Sequence, residues 1–266
     1  MKKRYFLLAG FVLCLLLSVA CLFLGLKSNF IKPKTEDFAP ERPPTPTQDT
    51  VDEISTPDNI DANSKNEVKK CPVDFSSLNK INSDIYAWID IPGTNISYPV
   101  LQSEDDDSFY LNHDSDNNFN TNGAIFSEHQ YNTKSFDDSV TVLYGHDMRS
   151  GDMFGQLQYC YSNADFLRNN DEILVYTPER ELKYKIFAAT PYYSFHLLHY
   201  YPFDKSYVFN QFFDELYNYK TLSSTYLKEE KPTYGDKVLV LSTCMNNGDN
   251  QRFLVMGALK SIKEYN

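Results

Sequence analysis

Three side chains of this sequence have the types and placement to do chemistry together. Cys244 ends the apolar run Val238-Leu239-Val240-Leu241-Ser242-Thr243, which reads as a strand. A polar loop, Met245-Asn246-Asn247-Gly248-Asp249-Asn250-Gln251, returns through Arg252 into a second apolar run. If the two runs pair as a hairpin, Cys244 and Arg252 face each other at one sheet end. A guanidinium there stabilises negative charge on sulfur and can donate two hydrogen bonds to a developing oxyanion. Tyr144-Gly145-His146-Asp147 sets a histidine just past the strand-like run Val140 to Tyr144. Were that strand to neighbour the cysteine strand, a nucleophile, a proton carrier and an oxyanion donor would share one rim. A buried free cysteine, a surface histidine and an ordinary arginine fit the same spacing.

The rim needs a scaffold, and most of the surrounding segments read as strands. Ile89 to Thr94 leads through a turn to Ile96 to Leu101; Ala124 to Phe126, Val140 to Tyr144 and Ile173 to Tyr176 follow. Pro178-Glu179-Arg180 looks like a hairpin turn into Leu182 to Ala189, and the chain closes with Lys237 to Thr243 and Phe253 to Leu259. Two helices are expected. Asp74 is an N-cap candidate ahead of Phe75, Leu78, Ile81, Ile85 and Trp88 at helical spacing. Phe209, Phe212, Phe213, Leu216 and Tyr217 mark the buried stripe of a second helix, from Ser206 to about Lys228. Many short strands with one late helix predict a mainly β fold, a closed or nearly closed barrel.

Around this unit the chain is segmented. Of its 266 residues, 36 are acidic and 25 basic, for a net charge of −11. Such acidity excludes nucleic acid as the main partner, since counterion release needs clustered Lys and Arg. Residues 1–4 form a basic tail expected on the cytoplasmic side. Residues 5–26 carry no charge over 22 positions. At ~1.5 Å per residue that run is long enough to cross a ~30 Å hydrocarbon layer, and Lys2, Lys3 and Arg4 ahead of it favour an inside N-terminus. The alternative is a cleaved signal, for which Ser18-Val19-Ala20-Cys21 is a poor lipoprotein site because the apolar run continues past Cys21. Residues 27–70 hold six prolines, no glycine and little that can pack, the composition of an extended extracellular stalk. Residues 71–266 are expected to be one domain.

At the chemical residues the sequence becomes recognisable. Leu241-Ser242-Thr243-Cys244, with Arg252 eight positions on, resembles the T-L-x-T-C…R signature of sortases, Val240 standing where Thr is usual. Tyr144-Gly145-His146 followed by Met153-Phe154-Gly155-Gln156-Leu157 resembles the family's G-H…M-F…L segment. Trp88 to Val100 is similar to the W-I-x-I-P-G-T-x-I-x-Y-P-V stretch of class B members, as is Gly123-Ala124-Ile125-Phe126. A helix from Tyr207 to Lys228 matches the class B insertion. The resemblance spans residues 71–266 and implies an eight-stranded sortase barrel, with an N-terminal helix and one long helix before the cysteine strand. It implies a single-pass, membrane-anchored cysteine transpeptidase of Gram-positive bacteria, its catalytic domain outside the cell. Cys244 would attack the Thr carbonyl of an N-P-x-T-x-type C-terminal sorting signal on a surface protein. Arg252 would hold the oxyanion and His146 would act as acid, then base. A peptidoglycan precursor amine, the lipid II cross-bridge, would resolve the thioester. No cofactor and no metal are implied. Ser242 and Thr243 are candidates for positioning the substrate, against simple strand packing. A cysteine peptidase that lets water finish the reaction has the same residue set, and a non-catalytic surface binding domain is the third reading.

The remaining polar clusters carry weaker signals. The run Glu104-Asp105-Asp106-Asp107 suits a solvated loop better than a calcium site, and residues 118–129 depart from an EF-hand at its first and last positions. His113, His129, His196 and His199 show no partner logic in the sequence. The aromatic residues between Tyr192 and Tyr219 suit either core packing or a peptide groove. Outside the apolar run lie Cys71, Cys160 and Cys244; an odd count leaves one thiol free, and a Cys71–Cys160 disulfide is compatible with it.

Overall fold

The computed structural model describes residues 70–245 and 251–265. The basic tail, the apolar run of residues 5–26, the stalk up to residue 69 and loop residues 246–250 lie outside the described residues. Among the described residues no helix is long and apolar enough to cross a membrane.

The chain opens with helix α1 (Phe75–Ile81), capped by the Asp74 carboxylate, which accepts from the Ser77 backbone N–H. Then come β1 (Ile85–Asp90), β2 (Ser97–Leu101), β3 (Ile125–Phe126) and β4 (Val140–Tyr144). Helices α2 (Gly155–Tyr161) and α3 (Ala164–Asn169) precede β5 (Glu172–Tyr176) and β6 (Arg180–Tyr193). Two more helices follow, α4 (Leu197–Tyr200) and α5 (Ser206–Asn218), then β7 (Thr225–Tyr226), β8 (Val238–Cys244) and β9 (Gln251–Glu264). The strands bond in the order β5-β1-β2-β3-β4-β8-β9-β6, and β6 pairs back onto β5, closing an eight-stranded barrel. The two-residue β7 attaches to β6 beside that seam.

Apolar runs rather than alternating ones form the central strands because both of their faces are covered. In β8, Leu239 and Leu241 enter the barrel interior with Leu143, Phe253 and Val255. Val238 and Val240 point the other way, onto Phe209, Phe212, Phe213 and Leu216 of α5. A third cluster packs α1, through Phe75 and Leu78, on Trp88, Leu101 and Phe126.

Three expectations about elements are corrected. Ile85 and Trp88 belong to β1, not to the first helix, which ends at Ile81. The register of β1 against β2 slips between Ile85 and Ala87. That irregularity turns Ile85 and Trp88 to the same side, toward α1, while Tyr86, Ala87 and Ile89 face the interior. Two residues three apart on one face imitate a helical period. The long helix stops at Asn218 rather than near Lys228. Beyond it the Thr221 backbone N–H donates to Ser224 Oγ and the Ser223 N–H to Thr221 Oγ1, so hydroxyls replace the helical ladder. Helices α2 and α3 fall where no helix is expected; at seven and six residues each, they carry too little periodicity to read.

Cys71 and Cys160 are both free. The Cys71 sulfur contacts the Thr177 carbonyl at 3.5 Å, and Cys160 sits on α2 against the barrel core.

Candidate active site

The site is built where β4, β8 and β9 end together. β8 and β9 are antiparallel, and their register sets Cys244 directly opposite Arg252. The Arg252 guanidinium donates through Nη1 to the Cys244 sulfur, which is exposed to solvent. On the other side β4 runs parallel to β8, with Tyr144 level with Ser242. Two further bonds carry the pairing past the end of β4. The Gly145 N–H donates to the Ser242 carbonyl (3.2 Å), and Thr243 Oγ1 donates to the Gly145 carbonyl (2.7 Å). His146 is therefore delivered to the same sheet end as Cys244, two residues beyond the Tyr144–Ser242 pair.

The imidazole of His146 is held from a different direction. Its Nε2 lies 2.7 Å from the carbonyl oxygen of Leu111, in a 3-10 turn over Phe109–Leu111. A carbonyl only accepts, so Nε2 carries the proton and Nδ1 keeps its lone pair in the neutral ring. The backbone next to His146 is tied as well: the Phe154 N–H donates to the His146 carbonyl (3.0 Å), and Asp147 pairs with Met153 across the loop. Gly145 suits this corner, because a Cβ there would lie 2.5 Å from Ile125 Cδ1 and 2.8 Å from the Phe154 ring.

The two remaining candidates separate. Ser242 is buried and, with Tyr144 and Arg252, the partner of Cys244, lines a cavity of about 70 Å³. Thr243 is 2% exposed and its hydroxyl is committed to Gly145, so it ties the His146 segment to β8. Tyr193, Ser194, Phe195, His196 and Leu197, which continue from the strand paired with Arg252, line the same cavity. The aromatic residues thus divide between roles: Tyr192, Phe203, Phe209, Phe212 and Phe213 are core, whereas Tyr193 is 53% exposed beside Arg252.

Sequence reasoning missed one pair. His196 Nε2 lies 2.5 Å from Glu128 Oε2, joining the segment after β6 to the segment after β3. The partners are 68 residues apart, and no local pattern could have linked them. Tyr144 lines the cavity with His196 and Arg252, its hydroxyl 3.4 Å from His196 Nε2; burial first, then the Glu128 carboxylate, push its phenol well above the usual range. The acidic run of residues 104–107 serves its loop: Asp106 accepts from Ser108, holding its carboxyl below the usual range, and Asp107 accepts from the His129 N–H.

The family model described as Sortase domain matches residues 89–260, from β1 into β9. Sortase B of Listeria monocytogenes is 32% identical over 213 residues, covering 79% of this chain and 82% of that protein. Among solved structures, Clostridium perfringens sortase B superposes with a TM-score of 0.61 at 26% identity, over 71% of this chain and all of that one. A Streptococcus pyogenes class B sortase involved in pilus biogenesis gives 0.60 at 28% identity, over 70% of this chain and 97% of that one. With its closed eight-stranded barrel and these relatives, the chain belongs to the sortase family of cysteine transpeptidases, among its class B members.

Proposed function

We propose that Cys244, His146 and Arg252 carry a transpeptidation on C-terminal sorting signals of N-P-x-T-x type. The observation that supports this reading is the pairing of Cys244 with Arg252 at the strand end to which the β4 extension also delivers His146. His146 takes the Cys244 thiol proton on Nδ1; the thiolate attacks the Thr carbonyl carbon, and the carbonyl electron pair moves onto oxygen beside the Arg252 guanidinium. Collapse breaks the C–N bond; the His146 imidazolium gives its Nδ1 proton to the departing amine and returns to the neutral ring, and a thioester remains on Cys244. His146 then takes the proton from an incoming peptidoglycan cross-bridge amine, which forms the new amide and releases the thiolate. Ser242, lining the cavity beside Arg252, positions the peptide.

The setting follows from the same reading. The uncharged run of residues 5–26 anchors the enzyme with residues 1–4 inside, and the stalk of residues 27–70 holds the domain of residues 71–266 outside the cell. Enzyme, sorting signal and lipid-linked precursor then meet at one membrane face.

The test uses the chain as purified, wild type and Cys244→Ala, with N-P-x-T-x peptides and a glycine or diaminopimelate-type amine, products read by mass spectrometry. Cleavage after Thr with ligation to the amine, absent in the variant, is expected. Cleavage without ligation would make the protein a peptidase instead. Failure across a broad peptide library would overturn the reading in favour of a binding module. His146→Ala should abolish turnover, and loss of the Arg252 donor should cost ~10²–10³ in kcat.

A further inference from the structure

Around the cavity that Arg252 borders sits a group of titratable residues that the transpeptidation does not use. His196 follows β6 and is bonded at both ring nitrogens. The His199 backbone N–H donates to its Nδ1 at 3.0 Å, so Nδ1 is an acceptor and caps α4. The proton is therefore on Nε2, which donates to Glu128 Oε2 at 2.5 Å. Glu128 and His196 are largely shielded, with side-chain exposures of 17% and 29%. Around them stand Tyr131, whose ring centroid is 4.5 Å from that of His196, and Tyr144, whose hydroxyl is 3.4 Å from Nε2. His196 itself, with Phe195, Tyr144, Ser242 and Arg252, lines the 70 Å³ cavity, and Arg252 is the residue bonded to Cys244.

We propose that Glu128 and His196 form a positioning pair: their bond latches the β6–α4 connection to the segment after β3, and so fixes the part of the cavity lining that this connection supplies beside Arg252. The geometry supports this in three ways. The bond joins two segments 68 residues apart that no strand pairing connects there. It holds the ring in one tautomer, so the same side chain serves both its own helix and the distant carboxylate. And His196 shares the lining of the cavity with Ser242 and Arg252, where a loose segment would widen the space a peptide side chain fills. This inference rests on the proposed transpeptidation for its kinetic consequence, but not for its structural one.

The two consequences are measured separately in the full chain. Steady-state kinetics with a sorting peptide should show KM raised about tenfold in Glu128→Ala, the equivalent of about 1.4 kcal/mol, with kcat within about twofold. His196→Asn keeps an acceptor for the His199 N–H but is too short to reach Glu128, and should raise KM equally. The double variant should be no worse than either single one, and Glu128→Gln, which retains an acceptor oxygen, should recover most of the loss. Hydrogen exchange, which needs no substrate, should show the amides of residues 197–200 opening about tenfold faster in Glu128→Ala. Unchanged exchange there would overturn the latch whatever the activity. Additive effects in the double variant, or a fall in kcat without a change in KM, would equally overturn it. A wild-type enzyme that turns over no peptide, yet shows the exchange difference, would overturn the function and leave the latch standing.

Discussion

His146 owes its position to backbone, and the glycine before it is what lets that backbone fit. Gly145 passes between Ile125 of β3 and the Phe154 ring while bonding to both Ser242 and Thr243 of β8. A methyl group at residue 145 cannot be accommodated without moving one of these neighbours, and Phe154 is fully buried. Overpacking of this kind costs about 1–3 kcal/mol. Gly145→Ala should therefore lower stability by that amount and kcat by more than tenfold, since the imbalance falls on the residue next to the proton carrier. Adding Ile125→Val, which removes the Cδ1 atom in closest approach, should recover part of both losses. Urea unfolding and peptide turnover on the single and double variants check this, and an unaffected kcat in Gly145→Ala would show that His146 does not depend on this corner. At this scale the sequence was informative where chemistry follows the chain. Cys244 and Arg252 flank a hairpin loop, so their apposition could be read from strand pairing alone. The Leu111 carbonyl that orients His146 and the carboxylate that holds His196 could not, since each comes from a segment tens of residues away.

Elements were legible in proportion to the length and regularity of their burial pattern. The strands β4, β8 and β9, apolar on both faces, stand out as runs, and α5 shows its stripe of Phe209, Phe212, Phe213 and Leu216. The irregular register of β1 hid a strand behind a helical spacing, and short α2 and α3 left no stripe to find. Helix α1 was found through its cap, and that cap is testable. The Asp74 carboxylate accepts from Ser77 Oγ, Ser76 Oγ and the Ser77 N–H, in that order of effect, which holds its pKa at about 2 against the ordinary 3.8. A depressed carboxylate stabilises the folded state above its unfolded pKa, and the contribution disappears as pH falls through the folded value. Asp74→Ala should thus melt below wild type at neutral pH. The gap should narrow as pH falls from 3.8 toward 2 and close below the lower value. Melting curves over that range decide the point: a gap independent of pH would mean the cap acts only by shape.

At the scale of the folded unit, the three strands that carry the site are pressed between two separate cores. Leu143, Leu239, Leu241, Phe253 and Val255 fill the barrel, while Val140, Val142, Val238, Val240, Leu254 and Met256 support α5 on the outside. The chemistry sits at the strand ends, beyond both layers, so the stability of the scaffold and the geometry of the rim are separable. Phe213 tests that separation. It is fully buried on α5, with its ring centroid 4.7 Å from Phe209 and 5.7 Å from Phe187, and it touches none of the three site residues in the rim. Truncating a buried phenylalanine typically costs about 3–5 kcal/mol. Phe213→Ala should lower the free energy of unfolding by that amount, while kcat per folded molecule, measured well below the midpoint, stays within about twofold of wild type. A proportionate loss of kcat under folded conditions would show instead that α5 transmits its packing through β8 to Cys244, which would make the outer layer part of the catalytic apparatus rather than its support.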